Sequence, residues 1–373
     1  MAKRVGGDKW LFFTTLLLVV VGLAMVFSAS AVVAQEKFHS PYTFVGKQAG
    51  WALAGLVFML VLSRIDYTFY KSPRFIYTVL CITSILLVLV FFFPASNYAH
   101  RWIRIHGYSL EPSELAKLVL VLFLAWFLST RLDKMSDWKN TLPRGLFIPA
   151  VFIVLIVRQP DLGTALVLAG VTVMMLFLAG MNWKYLAVAV GVTLPVLAGL
   201  LFWVPFRNQR IQVFERFLLH PICDLKDLKD AGAAGYHTCQ SLIAVGSGGV
   251  AGLGYMDGQQ KLFFLPEAHT DFIFANIAEE WGFIGAILLL ALFAFFCYRG
   301  LRIAFRSQDP FARLAAFGIT TTIILQAFFN ISVVIALLPT KGLPLPLISS
   351  GGTSLFFTLA SIGILLNISR KVD

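Results

Sequence analysis

The sequence contains little charge. Asp, Glu, Lys and Arg make up only 13% of its 373 residues, whereas soluble proteins contain about 25%. Hydrophobic residues account for 58%, and the mean hydropathy is +0.82. This balance excludes an ordinary soluble enzyme and a disordered chain, and it predicts a polytopic membrane protein.

Cysteine is also scarce. The chain has four cysteines, which lie far apart and lack the spacing of metal ligands, so a disulfide scaffold and a cysteine-based metal site are excluded. Cys223 and Cys239 both fall in one predicted outer loop. They either form a disulfide, worth roughly 3 kcal/mol on the chain-entropy model, or are two unrelated thiols. Cys81 and Cys297 are predicted to fill the core.

Motifs for nucleotide binding are missing as well. The sequence has no Walker A pattern, no nucleotide fold and no repeat with a period of about 20–50 residues. We therefore expect no nucleotide cofactor. The net charge is +11, but most basic residues lie in short loops between apolar runs, which indicates membrane orientation and no nucleic acid partner.

Ten apolar runs have about the length that crosses a bilayer. They are 11–33, 45–62, 75–93, 113–129, 145–157, 162–179, 186–205, 272–298, 314–338 and 353–369. The fifth is short and ends at Arg158-Gln159-Pro160-Asp161, so it predicts a span that breaks and restarts. We predict an all-α integral membrane protein with about ten transmembrane helices in a single polytopic domain, residues 1–373.

The orientation follows from the basic residues of alternate loops. One side carries 17 Lys and Arg, and the short loops of the other side carry 6. Because basic residues favour the cytoplasmic side, both termini are predicted to be cytoplasmic. Residues 206–271 then form one large extracytoplasmic loop between the seventh and eighth spans.

Polar residues concentrate at the outer ends of the spans. The segment Glu267-Ala268-His269-Thr270-Asp271 ends the long loop. Asp271 either caps the eighth span or is a partly desolvated carboxylate suited to act as a general base, and the two roles are compatible.

Two acidic residues, Glu279 and Glu280, lie about two turns deeper in the eighth span. A charge inside a membrane span is costly unless it is paired or functional. Lys117, in the fourth span, is the predicted cation for one of them. Its alternative partner is Glu114, which lies at i,i+3 on its own helix.

Three further features have both a structural and a functional interpretation. Arg101 either extends toward the lipid headgroups or binds a phosphate, and Asp161 either caps the sixth span or contributes to a site. The glycines of Gly246–Gly249 allow close approach to a phosphate or make a flexible turn. Prolines and glycines within Pro339–Gly352 predict non-helical backbone at membrane depth, which favours a site.

Together these segments, in this order on ten spans, resemble the SEDS family of shape, elongation, division and sporulation proteins. The resemblance rests on Arg101-Trp102, Pro112–Lys117, Gln159–Thr164, Gly235–His237 with Gln240, Gly246–Gly249, Pro266–Phe274 and Pro339–Gly352. Two segments, Glu267–Asp271 and Leu338–Gly342, look like the division branch. The alternative is the elongation branch, which typically has Arg in place of Ala268. Ser350 departs from the family's usual Tyr, and 223–234 is longer than usual.

The resemblance implies a peptidoglycan glycosyltransferase that polymerises lipid II at the outer face of the bacterial cytoplasmic membrane, at the division septum. It also implies a class B penicillin-binding protein and other division membrane proteins as partners, and a divalent cation, Mg²⁺ or Mn²⁺. The family's proposed catalytic aspartate falls on Asp271.

This reaction needs one general base and positive charge on a diphosphate, unlike the two carboxyl groups of a glycoside hydrolase. We expect Asp271 to be the base, and Glu267 and Asp161 to hold the cation. The expected substrate-binding residues are Arg101, Lys117, Gln159, Asp161, Gln240, His269, Lys341 and Ser349.

Two other classes of function remain open from the residues. A lipid II flippase predicts ionisable residues through the whole membrane thickness, whereas here they crowd the outer ends. A non-catalytic scaffold for a penicillin-binding protein predicts that Asp271→Asn is tolerated, because a helix cap accepts either residue.

Overall fold

The computed structural model describes residues 7–94, 99–105, 108–132, 138–185, 225–339 and 342–371, with the single positions 187, 191, 212, 214 and 215. Its helices are α1 (Lys9–Phe38), α2 (Thr43–Leu62), α3 (Tyr67–Tyr70), α4 (Pro73–Leu89), α5 (Pro112–Ser129), α6 (Trp138–Arg158), α7 (Leu162–Leu178), α8 (Leu225–Ser247), α9 (Ile273–Arg306), α10 (Pro310–Val334) and α11 (Gly352–Ser369). A 3₁₀ turn, Val90–Phe92, extends α4. The fold is all-α, as predicted.

Seven of these helices are long and apolar enough to cross a membrane: α1, α2, α4 with its 3₁₀ turn, α5, α9, α10 and α11. Gly145–Arg158 and Leu162–Leu178 are shorter apolar helices. These nine correspond to nine of the ten predicted runs, and the protein is a multi-pass membrane protein. The remaining run, 186–205, lies almost entirely outside the described residues.

A short hairpin precedes α5. Strands β1 (Ile103–Ile105) and β2 (Tyr108–Leu110) pair in antiparallel register, with Ile103 opposite Leu110. Helix α8 lies within the predicted outer loop, 206–271, so this segment is not irregular throughout. The sequence patterns did not predict either element.

The most buried spans are α5 and α11. Helix α5 packs against α4, α7 and α10, and α11 packs along α2. Large apolar side chains such as Leu53, Tyr77 and Leu288 are instead exposed on the outside. An apolar exterior is expected where lipid is the solvent, and it leaves the interior of the bundle for the polar residues.

The predicted helix caps had different outcomes. Asp161 caps α7, because its carboxylate accepts a hydrogen bond from the backbone N–H of Thr164 at 3.2 Å. Asp271 does not occupy the cap of α9. That helix begins at Ile273, so Phe272 holds the cap position, and the Phe272 side chain makes no capping bond. The cap interpretation of Asp271 is therefore wrong, since the helix starts one residue later than such a cap requires.

Helix α9 breaks at Gly282, whose backbone angles are φ 66° and ψ −165°. The outer segment 249–254 replaces the lost helical bonds. The N–H groups of Leu253 and Gly254 donate to the carbonyls of Glu279 and Glu280, both at 3.0 Å. On the other side, two N–H groups of α9 donate to carbonyls of the segment, those of Gly249 and Val250. A broken helix at membrane depth is tolerated because its backbone groups are paired again.

Candidate active site before helix α9

Hydrogen bonds fix the backbone of the segment that precedes α9. The carbonyl of Ala268 accepts from Nδ2 of Asn276, on the first turn of α9, at 2.8 Å. The carbonyl of His269 accepts from the backbone N–H of Ser350, in the loop before α11, at 2.9 Å.

The next two carbonyls are bound in the same way. The carbonyl of Thr270 accepts from the Ser349 hydroxyl at 2.5 Å, and that of Asp271 accepts from Nδ2 of Asn330, on α10, at 2.7 Å. Four consecutive carbonyls are thus held by three different parts of the chain. Such a network over-determines the backbone that carries the predicted base.

The carboxylate of Asp271 lies against the backbone of the loop before α11. A Cβ built at Gly342 would be only 2.5 Å from Oδ2 of Asp271. Asp271 itself is partly exposed. The position combines a fixed backbone with partial exposure of the residue.

The loop at 342–351 is non-helical, as predicted, and side chains of the spans hold it. Gln48 on α2 donates to the carbonyl of Ser349 at 3.0 Å and accepts from the N–H of Gly351 at 3.2 Å. The Ser349 hydroxyl also accepts from the N–H of Leu345 at 2.8 Å. Ser349, a predicted substrate residue, is buried, and its hydroxyl proton is already committed to the carbonyl of Thr270.

His269 lies two residues before Asp271, with its ring 4.8 Å from the ring of Phe44. Burial lowers the pKa of His269, and nearby Lys37 lowers it further, while Glu267 partly opposes the shift. The imidazole is therefore neutral at pH 7. A neutral ring can donate or accept a hydrogen bond but adds no positive charge for a diphosphate.

A second polar cluster lies at the outer end of α5. Nζ of Lys117 is 2.8 Å from Oε2 of Glu114 and donates to Oε1 of Gln326 at 2.5 Å. All three side chains are buried. The alternative prediction, a Lys117–Glu114 pair within one helix, is confirmed.

Glu279 and Glu280 have other partners than Lys117. Nζ of Lys261 lies 2.6 Å from Oε1 of Glu280 and donates to the Ser28 hydroxyl at 2.8 Å. The carboxylate of Glu279 accepts from the N–H groups of Gln259 and Gln260. The predicted pairing with Lys117 is wrong, because the outer loop folds back onto α9 and supplies both a cation and backbone donors.

Arg101 is anchored beside the start of α7. Its Nη1 lies 3.8 Å from Oδ1 of Asp161, and its Nη2 donates to the carbonyl of Pro160. Gln159 is 1% exposed and donates to the carbonyl of Leu87 at 2.9 Å. Its Oε1 is buried without a hydrogen-bond partner in the described part of the chain. The start of α7 thus carries a cation, Arg101, and a buried acceptor on Gln159 that has no partner in the described part of the chain.

Glu111 interacts electrostatically with Arg101 and Asp161, although sequence reasoning did not select it. Burial, helped by the negative charges of Glu114 and Asp161, raises the pKa of Glu111 to about 8. The positive charges of Arg101 and Lys117 oppose the shift. Glu111 is therefore protonated at pH 7, which reduces the negative charge around Arg101.

Helix α8 contacts Phe272, the residue that follows Asp271. The His237 ring stacks on Phe272 with ring centroids 5.8 Å apart, and the Ser241 hydroxyl donates to the carbonyl of Val334 at 2.7 Å. Gln240, a predicted substrate residue, is partly buried one turn after His237. This spacing puts Gln240 and His237 on neighbouring positions of the same helix face.

The predicted metal ligands Glu267 and Asp161 do not form a joint ligand set. Glu267 is exposed and accepts from the Thr270 hydroxyl at 2.9 Å, whereas Asp161 is buried at the start of α7. Among the residues that the structure describes, no group of three or more His, Cys, Asp or Glu could hold a metal ion. Mg²⁺ often binds through one or two carboxylates plus substrate phosphates, so the cation stays a prediction.

Two predicted residues, Lys341 and Cys223, lie outside the described residues. Cys239 takes part in a disulfide. Cys81 and Cys297 are free thiols, and Cys81 is exposed, so the prediction that it fills the core is wrong. Its position on the lipid-facing side of α4 makes burial unnecessary, because lipid solvates a thiol as well as an apolar core does.

Sequence reasoning missed the amide side chains that hold the site. Gln48, Asn276, Gln326 and Asn330 all lie in spans and all bind backbone carbonyls of the site. The sequence could have revealed them, because an amide side chain within an apolar membrane span needs a hydrogen-bond partner. Gln326 and Asn330 are also spaced i,i+4, which places them on one face of α10.

Comparisons with known proteins agree on the family. The family model for the FtsW, RodA and SpoVE proteins, described as "Cell cycle protein", matches residues 8–373. A probable peptidoglycan glycosyltransferase FtsW of Geobacter metallireducens is 41% identical over 356 residues, covering 94% of this chain and 91% of the relative. Stage V sporulation protein E of Bacillus subtilis is 37% identical over 377 residues, covering 99% of this chain and 98% of the relative.

Solved structures have the same fold. A peptidoglycan synthase complex, described as coordinating polymerization and crosslinking, contains a chain with a TM-score of 0.78 and 27% identity, over 99% of this chain and 100% of that one. The rod shape determining protein RodA of Thermus thermophilus has a TM-score of 0.69 and 26% identity, over 99% and 98%. With a family model that matches nearly its whole length, this chain belongs to the FtsW/RodA/SpoVE family of cell cycle proteins, which is the SEDS family, and is most like FtsW.

Proposed function

We propose that this protein is a peptidoglycan glycosyltransferase that polymerises lipid II at the outer face of the cytoplasmic membrane, with Asp271 as general base. Relatives at 36–41% identity carry the name "Probable peptidoglycan glycosyltransferase FtsW", which supports this activity. The observation in this chain that supports the role of Asp271 is that this partly exposed residue lies on a backbone held by four consecutive carbonyl hydrogen bonds.

The proposed reaction joins two lipid-linked disaccharides. The 4-hydroxyl oxygen of the acceptor sugar forms a bond to the anomeric carbon of the donor, while the bond from that carbon to undecaprenyl diphosphate breaks. The hydroxyl proton passes to Asp271, and the diphosphate leaves with the bonding electron pair. Since diphosphate is already a good leaving group, one base and nearby positive charge are sufficient.

Arg101 and Lys341 are the proposed cations for the diphosphate. Arg101 is partly exposed, and its contacts with Asp161 and Pro160 orient the guanidinium before a substrate arrives. Such preorganisation lowers the cost of placing charge on the leaving group. The other proposed substrate-binding residues are Lys117, Gln159, Asp161, Gln240, His269 and Ser349.

We also propose that the enzyme works with a class B penicillin-binding protein and other division membrane proteins at the septum. The similar solved structure comes from a complex that coordinates polymerization with crosslinking, and this supports a crosslinking partner. Co-purification of a penicillin-binding protein with this chain, and localisation of a fluorescent fusion to the septum, test the two parts separately.

The decisive experiment is gel-resolved polymerisation of lipid II by purified protein, with wild type and Asp271→Asn side by side. We expect long glycan chains from the wild type and none from the variant, while the variant keeps its melting temperature and binds lipid II. Chains of wild-type length from Asp271→Asn would remove the proposed mechanism.

The same assay separates the other classes of function. A flippase binds lipid II and makes no chains, even when a penicillin-binding protein is present. A scaffold makes chains only through its partner, and Asp271→Asn then has no effect. In the described spans, Glu279 and Glu280 are already bound by the outer loop, which weighs against a transport path through them.

A divalent cation is tested by chelation. We expect EDTA to stop polymerisation and added Mg²⁺ or Mn²⁺ to restore it, because phosphate oxygens bind such ions readily. Full activity in EDTA would remove the cation from the proposal and leave the role of Asp271 unaffected.

A further inference from the structure

We infer that Asn330 is a positioning residue for Asp271: its amide holds the proposed base and the loop before α11 at a fixed separation. The inference rests on the proposed function, since it concerns how the same carboxylate is placed. Asn330 is not expected to touch the reacting atoms.

Both N–H groups of the Asn330 amide are used in this contact. Nδ2 donates to the carbonyl of Asp271 at 2.7 Å and to the carbonyl of Leu343 at 2.6 Å. Carbonyl oxygens can only accept, so the amide must present its nitrogen to both of them. Asn330 is 2% exposed, and its Oδ1 has no hydrogen-bond partner in the described part of the chain.

The two carbonyls belong to the two segments that meet at the carboxylate. Asp271 carries it, and Leu343 follows Gly342, where an added Cβ would lie 2.5 Å from Oδ2. A bond from one rigid amide to both segments therefore sets the space beside the carboxylate. Loss of the amide removes one carbonyl hydrogen bond from each segment at once, whereas each of the other bonds to the carbonyls of 268–270 holds one carbonyl.

A second amide on the same face of α10 extends this arrangement. Gln326, one turn before Asn330, donates to the carbonyl of Pro344 at 2.9 Å and accepts from Lys117 at 2.5 Å. The two amides together join the Lys117–Glu114 pair to the segment of Asp271 through consecutive carbonyls of one loop.

The chain provides a matched control at its cytoplasmic end. Asn367 on α11 is 6% exposed, donates from Nδ2 to the carbonyl of Ser63 at 2.9 Å, and has a buried Oδ1 without a partner among the described residues. Asn367→Leu therefore removes a buried amide with a similar environment but no contact with Asp271.

The test compares Asn330→Leu, Asn330→Gln and Asn367→Leu in lipid II polymerisation, with melting temperature measured for each. We expect Asn330→Leu to lower kcat by about 10- to 100-fold and to change KM by less than about threefold, because misplacement of a catalytic group costs rate more than binding. Asn330→Gln keeps both donors and is expected to recover part of kcat. Asn367→Leu is expected to keep kcat even if its melting temperature falls equally.

Wild-type kcat in Asn330→Leu, or a loss that Asn367→Leu reproduces at equal melting temperature, would overturn the inference. If Asn330→Leu does not fold, Asn330→Asp has the same shape and lacks both donors when ionised, and the same criteria apply. The two failures are distinguishable: an inactive wild-type protein overturns the proposed function, whereas an active wild type with an equally active Asn330 variant overturns only the role of Asn330.

Discussion

The carboxylate of Asp271 occupies the space that a side chain at position 342 would need, and glycine stands there. A Cβ at Gly342 would lie 2.5 Å from Oδ2 of Asp271 and 3.4 Å from its Cγ. Real Cβ atoms essentially never approach an oxygen so closely, so only glycine fits while the carboxylate keeps this position. The contact connects the loop before α11 with the proposed base.

Gly342→Ala is therefore expected to displace the carboxylate and lower the rate of lipid II polymerisation by about tenfold or more. Initial rates with purified protein measure this effect. Gly351→Ala, in the same loop, is the control, because its Cβ would meet only the Cβ of Ser354 at an ordinary 3.5 Å. Equal rates for the two variants would show that the contact with Asp271 is unimportant for catalysis.

The stability of the protein is expected to depend on pH through Glu111. Its pKa rises from 4.5 to about 8 on folding, chiefly through burial. Between these two values the folded state holds a proton that the unfolded state has released. The free energy of unfolding therefore falls as pH rises from about 4.5 to about 8, by at most about 1.4 kcal/mol per pH unit.

Melting temperatures of wild type and Glu111→Gln across this pH range test the prediction. The neutral amide cannot ionise, so the variant is expected to lose the part of the pH dependence that Glu111 contributes and to be more stable than wild type near pH 8. Parallel curves for the two proteins would contradict it.

The sequence predicted most spans well because one physical requirement dominates them. Helices α2, α5 and α11 begin within two residues of the predicted runs and end at the same residues, since the bilayer sets the length of an apolar segment. Helix α9 shows what an apolar pattern cannot predict. The pattern predicted the span itself, but the break at Gly282 depends on the distant segment 249–254, which replaces the lost helical hydrogen bonds.

Partners within the site were predictable only where they are local. Lys117 and Glu114 lie one turn apart, and helix geometry alone brings them together. The pair Lys261–Glu280 and the bonds of Asn330 depend on how an outer loop folds back and on how α10 faces the loop before α11. A hydrophobicity pattern contains no information on such contacts.

The Lys117–Glu114 pair leads to a prediction about stability. Both side chains are buried, so Lys117→Met leaves the Glu114 carboxylate without its cation, at a cost of about 3–5 kcal/mol. The double variant Glu114→Gln/Lys117→Met leaves no buried charge and is expected to be more stable than Lys117→Met alone. Thermal unfolding in detergent measures which of the two variants is more stable. A double variant less stable than Lys117→Met would contradict the pairing.

Gly248 is expected to be essential for the docking of the outer loop on α9. A Cβ there would lie 1.9 Å from the carbonyl oxygen of Ala278, a backbone atom that cannot move aside, whereas a Cβ at Gly246 would meet nothing within 4 Å. Gly248→Ala should therefore reduce the yield of folded, monodisperse protein, and Gly246→Ala should not, because alanine favours a helix over glycine. Size-exclusion profiles of the two variants provide the measurement. If Gly248→Ala elutes and melts like Gly246→Ala, the outer loop does not need this close approach to hold the broken helix together.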